Sequence, residues 1–251
     1  MNRIGNRIKP EVYQRWLEKE SAQRLLSLEA GWLKDTVQPL RGLHLAYAGI
    51  DPEPKFLANS RCQHRFRIGL PWQDNIISVD VKSHDYSWPL SDETLDVVVL
   101  QHMLDMGRRP HQSIREACRV LVPNGYLVVV GFNPYSIWGV GRLLHTFSGE
   151  LPWLSNPVAP GRLQDWLTLL DLRVEYLQHI EHLWPIKLVS EQLSRRFDRV
   201  LANRNQFPGN GYLLVARKTI AGITPIRERR WLSSGRGFAV PAAATRDNVN
   251  I

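Results

Sequence analysis

Apolar residues recur along this chain at two periods, and the switches between them lay out its elements. Between residues 11 and 38, Trp16, Leu17, Ala22, Leu25, Leu26 and Leu33 stand at helical spacing and predict one or two amphipathic helices. Residues 43–50, LHLAYAGI, form a short apolar run that stops at a glycine and Asp51-Pro52, as a buried strand with a sharp end would. His64–Ile68 and Ile76–Val81 read as two further short strands separated by a turn segment. Leu95–Leu100, LDVVVL, is nearly continuous in β-branched residues and predicts a strand buried on both faces. Pro110 then opens a helix with Ile114, Ala117, Cys118 and Leu121 on one face; Pro123-Asn124-Gly125 stops it before a strand at Tyr126–Val130.

Strand, helix and strand over 95–130 make a right-handed crossover and hence a parallel pair. Later come a helix carrying Leu163, Trp166, Leu167 and Leu170, a strand at Arg173–Ile180, a helix over about 186–203, and a strand at Tyr212–Ala216. The helix over 186–203 points Arg195, Arg196 and Arg199 outward, which reads as a solvated face. The expected fold is α/β and doubly wound: a seven-stranded, mostly parallel sheet with helices on both faces and its last strand antiparallel. Residues 1–219 form that domain, with a helical lead-in over 1–40. A lid is expected over 134–160, where Ile137, Trp138, Val140, Leu143 and Leu144 would cover an apolar small-molecule substrate. The same segment could instead be an extra helix or a membrane-surface contact. Residues 220–251 show no periodicity and read as a basic, disordered tail.

Charge alters this picture little. Of the net +8, the stretch from Arg217 to Ile251 supplies +5, with seven basic and two acidic residues. Nucleic-acid binding through that tail is an expectation with only Trp231 and Phe238 as interleaved aromatics. No apolar stretch approaches the roughly 20 residues of a membrane span. Met1–Pro10 is polar and basic and lacks a signal peptide's apolar core. Cys62 and Cys118 are far apart, so a reduced cytoplasmic setting is expected. Oligomeric state leaves no trace in the pattern.

Residues 84–131 resemble the central block of class I S-adenosylmethionine-dependent methyltransferases of the type-11 group. Trp88-Pro89-Leu90 stands for that family's Leu-Pro-Phe and Leu95-Asp96 for its Phe-Asp. Arg115-Glu116 with Arg119-Val120-Leu121 matches directly, and Pro123-Asn124-Gly125 stands for Pro-Gly-Gly. The resemblance implies a Rossmann-like methyltransferase fold, S-adenosylmethionine as cofactor and a methyl acceptor that the motif does not name. It also implies a crevice lined by Ala46, Gly49, Asp85, Tyr86 and Gln101, with Asp85 accepting the adenine amino group. His102, at the end of the fourth strand, is the candidate catalytic base.

Three departures stand beside the match. The family's first strand ends in Gly-x-Gly-x-Gly, whereas Leu45-Ala46-Tyr47-Ala48-Gly49 keeps one glycine. No acid ends the second strand to meet the ribose hydroxyls, and Asp80 lies only five residues before Asp85. His84 falls at the usual adenine-binding aspartate, one residue before Asp85. These departures carry the alternative reading, a catalytically inactive methyltransferase-like binding or scaffolding protein, which a Tyr47 side chain filling the crevice would favour. His84, Asp85, His102, Asp105 and His111 lack the spacing of metal motifs, so no metal is expected. Cys118 reads as core, and Asn133-Pro134 as the turn that ends the fifth strand.

Overall fold

The structure, a computed structural model, describes residues 8–73, 79–136, 139, 151–180 and 209–219. These lie within the compact unit Met1–Ala221. The helix expected over 186–203, most of the lid segment, the start of the strand expected from Ile76 and the tail from residue 220 lie outside the described residues.

Two helices, α1 (Pro10–Leu17) and α2 (Glu20–Val37), precede β1 (His44–Gly49). A 3-10 turn, Lys55–Asn59, leads to β2 (His64–Gly69), and a second one, Pro71–Gln73, follows it. Next come β3 (Val81–Lys82), β4 (Leu95–Gln101), the short α3 (Met103–Met106) and α4 (Pro110–Val120). The chain closes with β5 (Leu121–Phe132), α5 (Pro160–Leu169), β6 (Leu172–Ile180) and β7 (Gly211–Lys218). The seven strands form one sheet in the order β3-β2-β1-β4-β5-β7-β6. β3, β2, β1, β4 and β5 run parallel, while β7 pairs antiparallel with both β5 and β6.

Alternation along the central strands divides the core in two. Ala46, Ala48, Val98, Leu100, Leu127 and Val129 face one layer, with Ile114 and Ala117 of α4 and Leu163 and Leu167 of α5. Leu45, Tyr47, Val97, Val99, Val128 and Val130 face the other, with Phe56 and Leu57. Because β4 is covered on both sides, its valines need no polar alternation. α2 serves both layers, placing Leu25 and Leu26 in the first and Leu33 and Val37 in the second.

Polar side chains set the register where the apolar pattern is silent. Asp96 accepts hydrogen bonds from the N–H groups of Leu43 (2.8 Å) and His44 (2.9 Å), which fixes where β1 begins beside β4. Gly42 is required there, since a Cβ on it would lie 2.3 Å from that of Asp96. Arg119 donates two bonds to Glu116 (2.9 and 2.7 Å), one to the Leu90 carbonyl (2.9 Å) and another to Asp92. Glu116 also accepts from the Trp88 N–H at 2.7 Å. The Arg-Glu-x-x-Arg motif is thus a clamp that holds the 88–92 loop on α4.

Candidate active-site crevice

In sheets of this topology ligands bind beyond the carboxyl ends of the strands, where the order reverses. Here that place lies between β1 and β4, and the residues ending those strands are Gly49 and Gln101, which pair with each other. Tyr47 stands two residues before Gly49, so both project to the same face. Its ring turns over the glycine. A Cβ at position 49 would lie 2.5 Å from the Tyr47 hydroxyl and 2.7 Å from the Gln101 Cβ. The glycine that elsewhere admits a ligand here admits the chain's own tyrosine.

That tyrosine is the first link of a buried polar line. Its hydroxyl donates to Gln101 Oε1 at 2.6 Å and accepts from the Asp51 N–H at 2.9 Å. Gln101 Nε2 donates to Glu29 Oε2 of α2 at 2.6 Å. Glu29 Oε1 meets His102 Nε2 at 2.7 Å, and His102 Nδ1 meets Asp105 Oδ2 at 2.8 Å. Asp105 accepts further from the N–H groups of Phe132 (2.9 Å) and Val158 (3.3 Å). Glu29, Gln101, His102 and Asp105 are each no more than 2% exposed.

His102 also carries backbone strain, standing at φ 53°, a left-handed conformation uncommon outside glycine. Its ring packs on that of Phe132 with centroids 3.9 Å apart. Burial alone would depress its pKa, but the Glu29 and Asp105 carboxylates outweigh that and hold it raised, to about 9. Burial pushes the Asp105 carboxyl upward, opposed by the His102 bond and two backbone N–H groups. With three donors converging on it, the carboxylate is the form this geometry supports. Both nitrogens of the candidate base are therefore engaged by carboxylates inside the protein.

The β2 side of the crevice is closed as well. Gln73 Nε2 donates to the Gly49 carbonyl at 2.7 Å, and its Oε1 accepts from the Leu70 N–H at 3.0 Å. From α1, the Tyr13 hydroxyl donates to the Ile50 carbonyl at 2.6 Å. Arg67 bonds the Pro52 carbonyl at 2.8 Å, and its own N–H is accepted by Asp80 at 2.7 Å. Asp80 is thereby committed to the β2 backbone. The cleft among Tyr47, Gly49, Asp51, Pro52, Arg67 and Gln73 has a cavity volume of about 10 Å³. A single water occupies that much space, while small-molecule sites run to several hundred Å³.

The expected site residues therefore divide. Gly49, Gln101 and His102 converge with Tyr47, whereas Ala46 lies wholly buried beside Val98, below the strand end. Asp85 and Tyr86 pack against the loop after β4. A Cβ on Gly107 would lie 2.7 Å from Asp85 Oδ2, and the Arg109 guanidinium stands 5.1 Å from the Tyr86 ring centre. Burial raises the Asp85 pKa, opposed by backbone bonds and by the charges of His84 and Arg109. Asp85 Oδ2 is buried without a hydrogen-bond partner among the described residues, as an acceptor awaiting an amino group would be. Asp85 fits the cofactor that the family resemblance implies; the ends of β1 and β2, as packed, do not.

Glu29 and Gln73 are absent from the sequence-derived set. Glu29 could have been found, because it occupies the apolar stripe of α2 between Leu25, Leu26 and Leu33. A carboxylate at such a position needs a buried partner. Gln73 sits in an irregular turn and offers no comparable signal.

Comparison with known proteins agrees with the strand order. Residues 32–129 match the family model for the methyltransferase domain. Over 96 residues the chain is 38% identical to YafS, an uncharacterised protein of Escherichia coli strain K12, spanning 38% of this chain and 40% of that protein. A SAM-dependent methyltransferase from Archaeoglobus fulgidus superposes with a TM-score of 0.54 at 20% identity, covering 77% of this chain and 94% of that one. The [4+2]-cyclase SpnF superposes with a TM-score of 0.50 at 16% identity, covering 79% and 81%. At such identities the superpositions speak for the fold, and the family model speaks for the sequence between α2 and β5. Together they show that this chain has the fold of class I S-adenosylmethionine-dependent methyltransferases and that its residues 32–129 match the methyltransferase-domain family model.

Proposed function

We propose that this chain is a methyltransferase-fold protein that has exchanged cofactor binding for a self-filled crevice, and that it works as a binding or scaffolding module. One observation carries the reading: the Tyr47 ring lies over Gly49 with both functions of its hydroxyl satisfied, by Gln101 and by the Asp51 N–H. A tyrosine held by two good hydrogen bonds is a built part of the interior, and displacing it leaves buried polar groups unpaired. Fold does not oppose this, since the architecture is shared with a protein called a [4+2]-cyclase.

Titration calorimetry of the full chain with S-adenosylmethionine and S-adenosylhomocysteine tests it. The expected outcome is no heat of binding with either ligand at up to about 1 mM, the weak end of the affinity scale. Saturable binding at micromolar ligand would overturn the reading.

A second reading rests on Asp85, whose buried Oδ2 has no hydrogen-bond partner among the described residues. On it the chain is a working methyltransferase of unassigned acceptor whose cofactor enters once Tyr47 and Gln101 part, with the adenine amino group meeting Asp85. Thermal melts separate the two. Ligand-dependent stabilisation of the parent that Asp85→Ala loses is the outcome this second reading requires.

A further inference from the structure

A surface apart from the crevice carries its own chemistry. The loops after β3 and β4 bring His84, Tyr86 and Arg109 into one ladder. His84 stacks on Tyr86 with centroids 5.4 Å apart and planes 14° from parallel, and the Arg109 guanidinium lies over the same ring. Two residues beyond Arg109, His111 packs on Trp166 of α5 with centroids 3.5 Å apart. His84, Arg108, Arg109, His111 and Arg115 are exposed, and Tyr86 and Trp166 half-buried. Two acids lie near: Asp85, buried beneath the ladder, and Asp165, exposed next to Trp166.

We propose that this surface binds single-stranded nucleic acid. The exposed rings of His84 and His111, each backed by a half-buried aromatic, form with the neighbouring arginines a platform on which unpaired bases stack while the arginines meet phosphates. A membrane surface would call for several protruding apolar side chains, whereas on α5 Leu169 alone protrudes and Trp166 is half-buried. A duplex keeps its base faces covered, so it would use the arginines and leave the rings idle. The proposal differs from binding through the basic tail because it rests on folded residues.

The test is fluorescence anisotropy on the full chain with labelled 15-nucleotide single strands of RNA and DNA, their duplexes, and phosphatidylserine vesicles. Single strands should bind at least tenfold tighter than duplexes at about 100 mM salt. Arg109→Ala should weaken binding about tenfold and reduce the salt slope by about 0.7. Tyr86→Ala should weaken it about tenfold with the slope unchanged. Arg109→Glu, an exposed change that leaves the core untouched, should abolish it. Binding that survives Arg109→Glu belongs to the tail and overturns the proposal. Equal affinity for duplex, binding to vesicles alone, or no binding of single strands at about 50 mM salt overturns it too.

Discussion

At the scale of single residues, the Tyr47 hydroxyl and the His102 ring make the clearest demands. Tyr47→Phe keeps the ring over Gly49 but strands Gln101 Oε1 and the Asp51 N–H, both of which the hydroxyl serves. The loss should be about 1–3 kcal/mol, read as a lower urea midpoint at unchanged slope. His102 adds a pH dependence with a definite sign. Its folded pKa, about 9, stands above the ordinary value near 6.5 because Glu29 and Asp105 outweigh burial. Charging is thus favoured by folding, so the contribution is complete below about pH 6.5 and is lost as pH rises through about 9. Stability should fall across that window by an amount on the order of 3 kcal/mol. His102→Gln should be less stable than the parent at pH 6 and should lack the slope between pH 6.5 and 9.5. A parent protein with flat stability over that window would show that the ring is neutral when folded.

At the scale of elements, strand positions are held by side chains as well as by the ladder. Asp96→Ala removes the acceptor for two amides at the start of β1. Because the site is partly exposed, the cost should be about 1–2 kcal/mol. The accompanying signature is faster hydrogen exchange at the His44 amide than in the parent, while the central amides of β4 keep their protection. Elements were most legible where one physical requirement dominates. The valines of 95–100 announce a strand covered on both faces, and β4 is central. Pro110 announces a helix start, and α4 begins there. β5 departs from expectation by starting at Leu121, because the Pro123-Asn124-Gly125 turn sits inside a bulged stretch paired back to Leu95. Between residues 79 and 82 the described strand is only Val81–Lys82, a two-residue edge pairing too short for periodicity to define. The direction in which Tyr47 points was not legible at all. Its identity hints at a filled loop, but only the Gly49–Gln101 pairing shows that the ring has somewhere to go.

For the whole molecule, both layers of the core close within Met1–Ala221. A chain ending at Ala221 should therefore melt within about 2 °C of the full chain, a difference below that of a 1 kcal/mol change in a domain this size. A larger drop would mean that the basic tail contributes to folding. The seating of Tyr47 on Gly49 reaches further, into what the lineage of this chain can tolerate. A methyl group at position 49 has no room while tyrosine stands at 47. Gly49→Ala should thus be severely destabilising alone and less so in a Tyr47→Ala background, where the Gln101 Cβ still crowds it at 2.7 Å, a non-additivity that a double-mutant cycle measures. A side chain at position 49 therefore needs both the loss of the tyrosine and a shift of Gln101. Glycines placed elsewhere in the loop would leave the tyrosine still seated over Gly49.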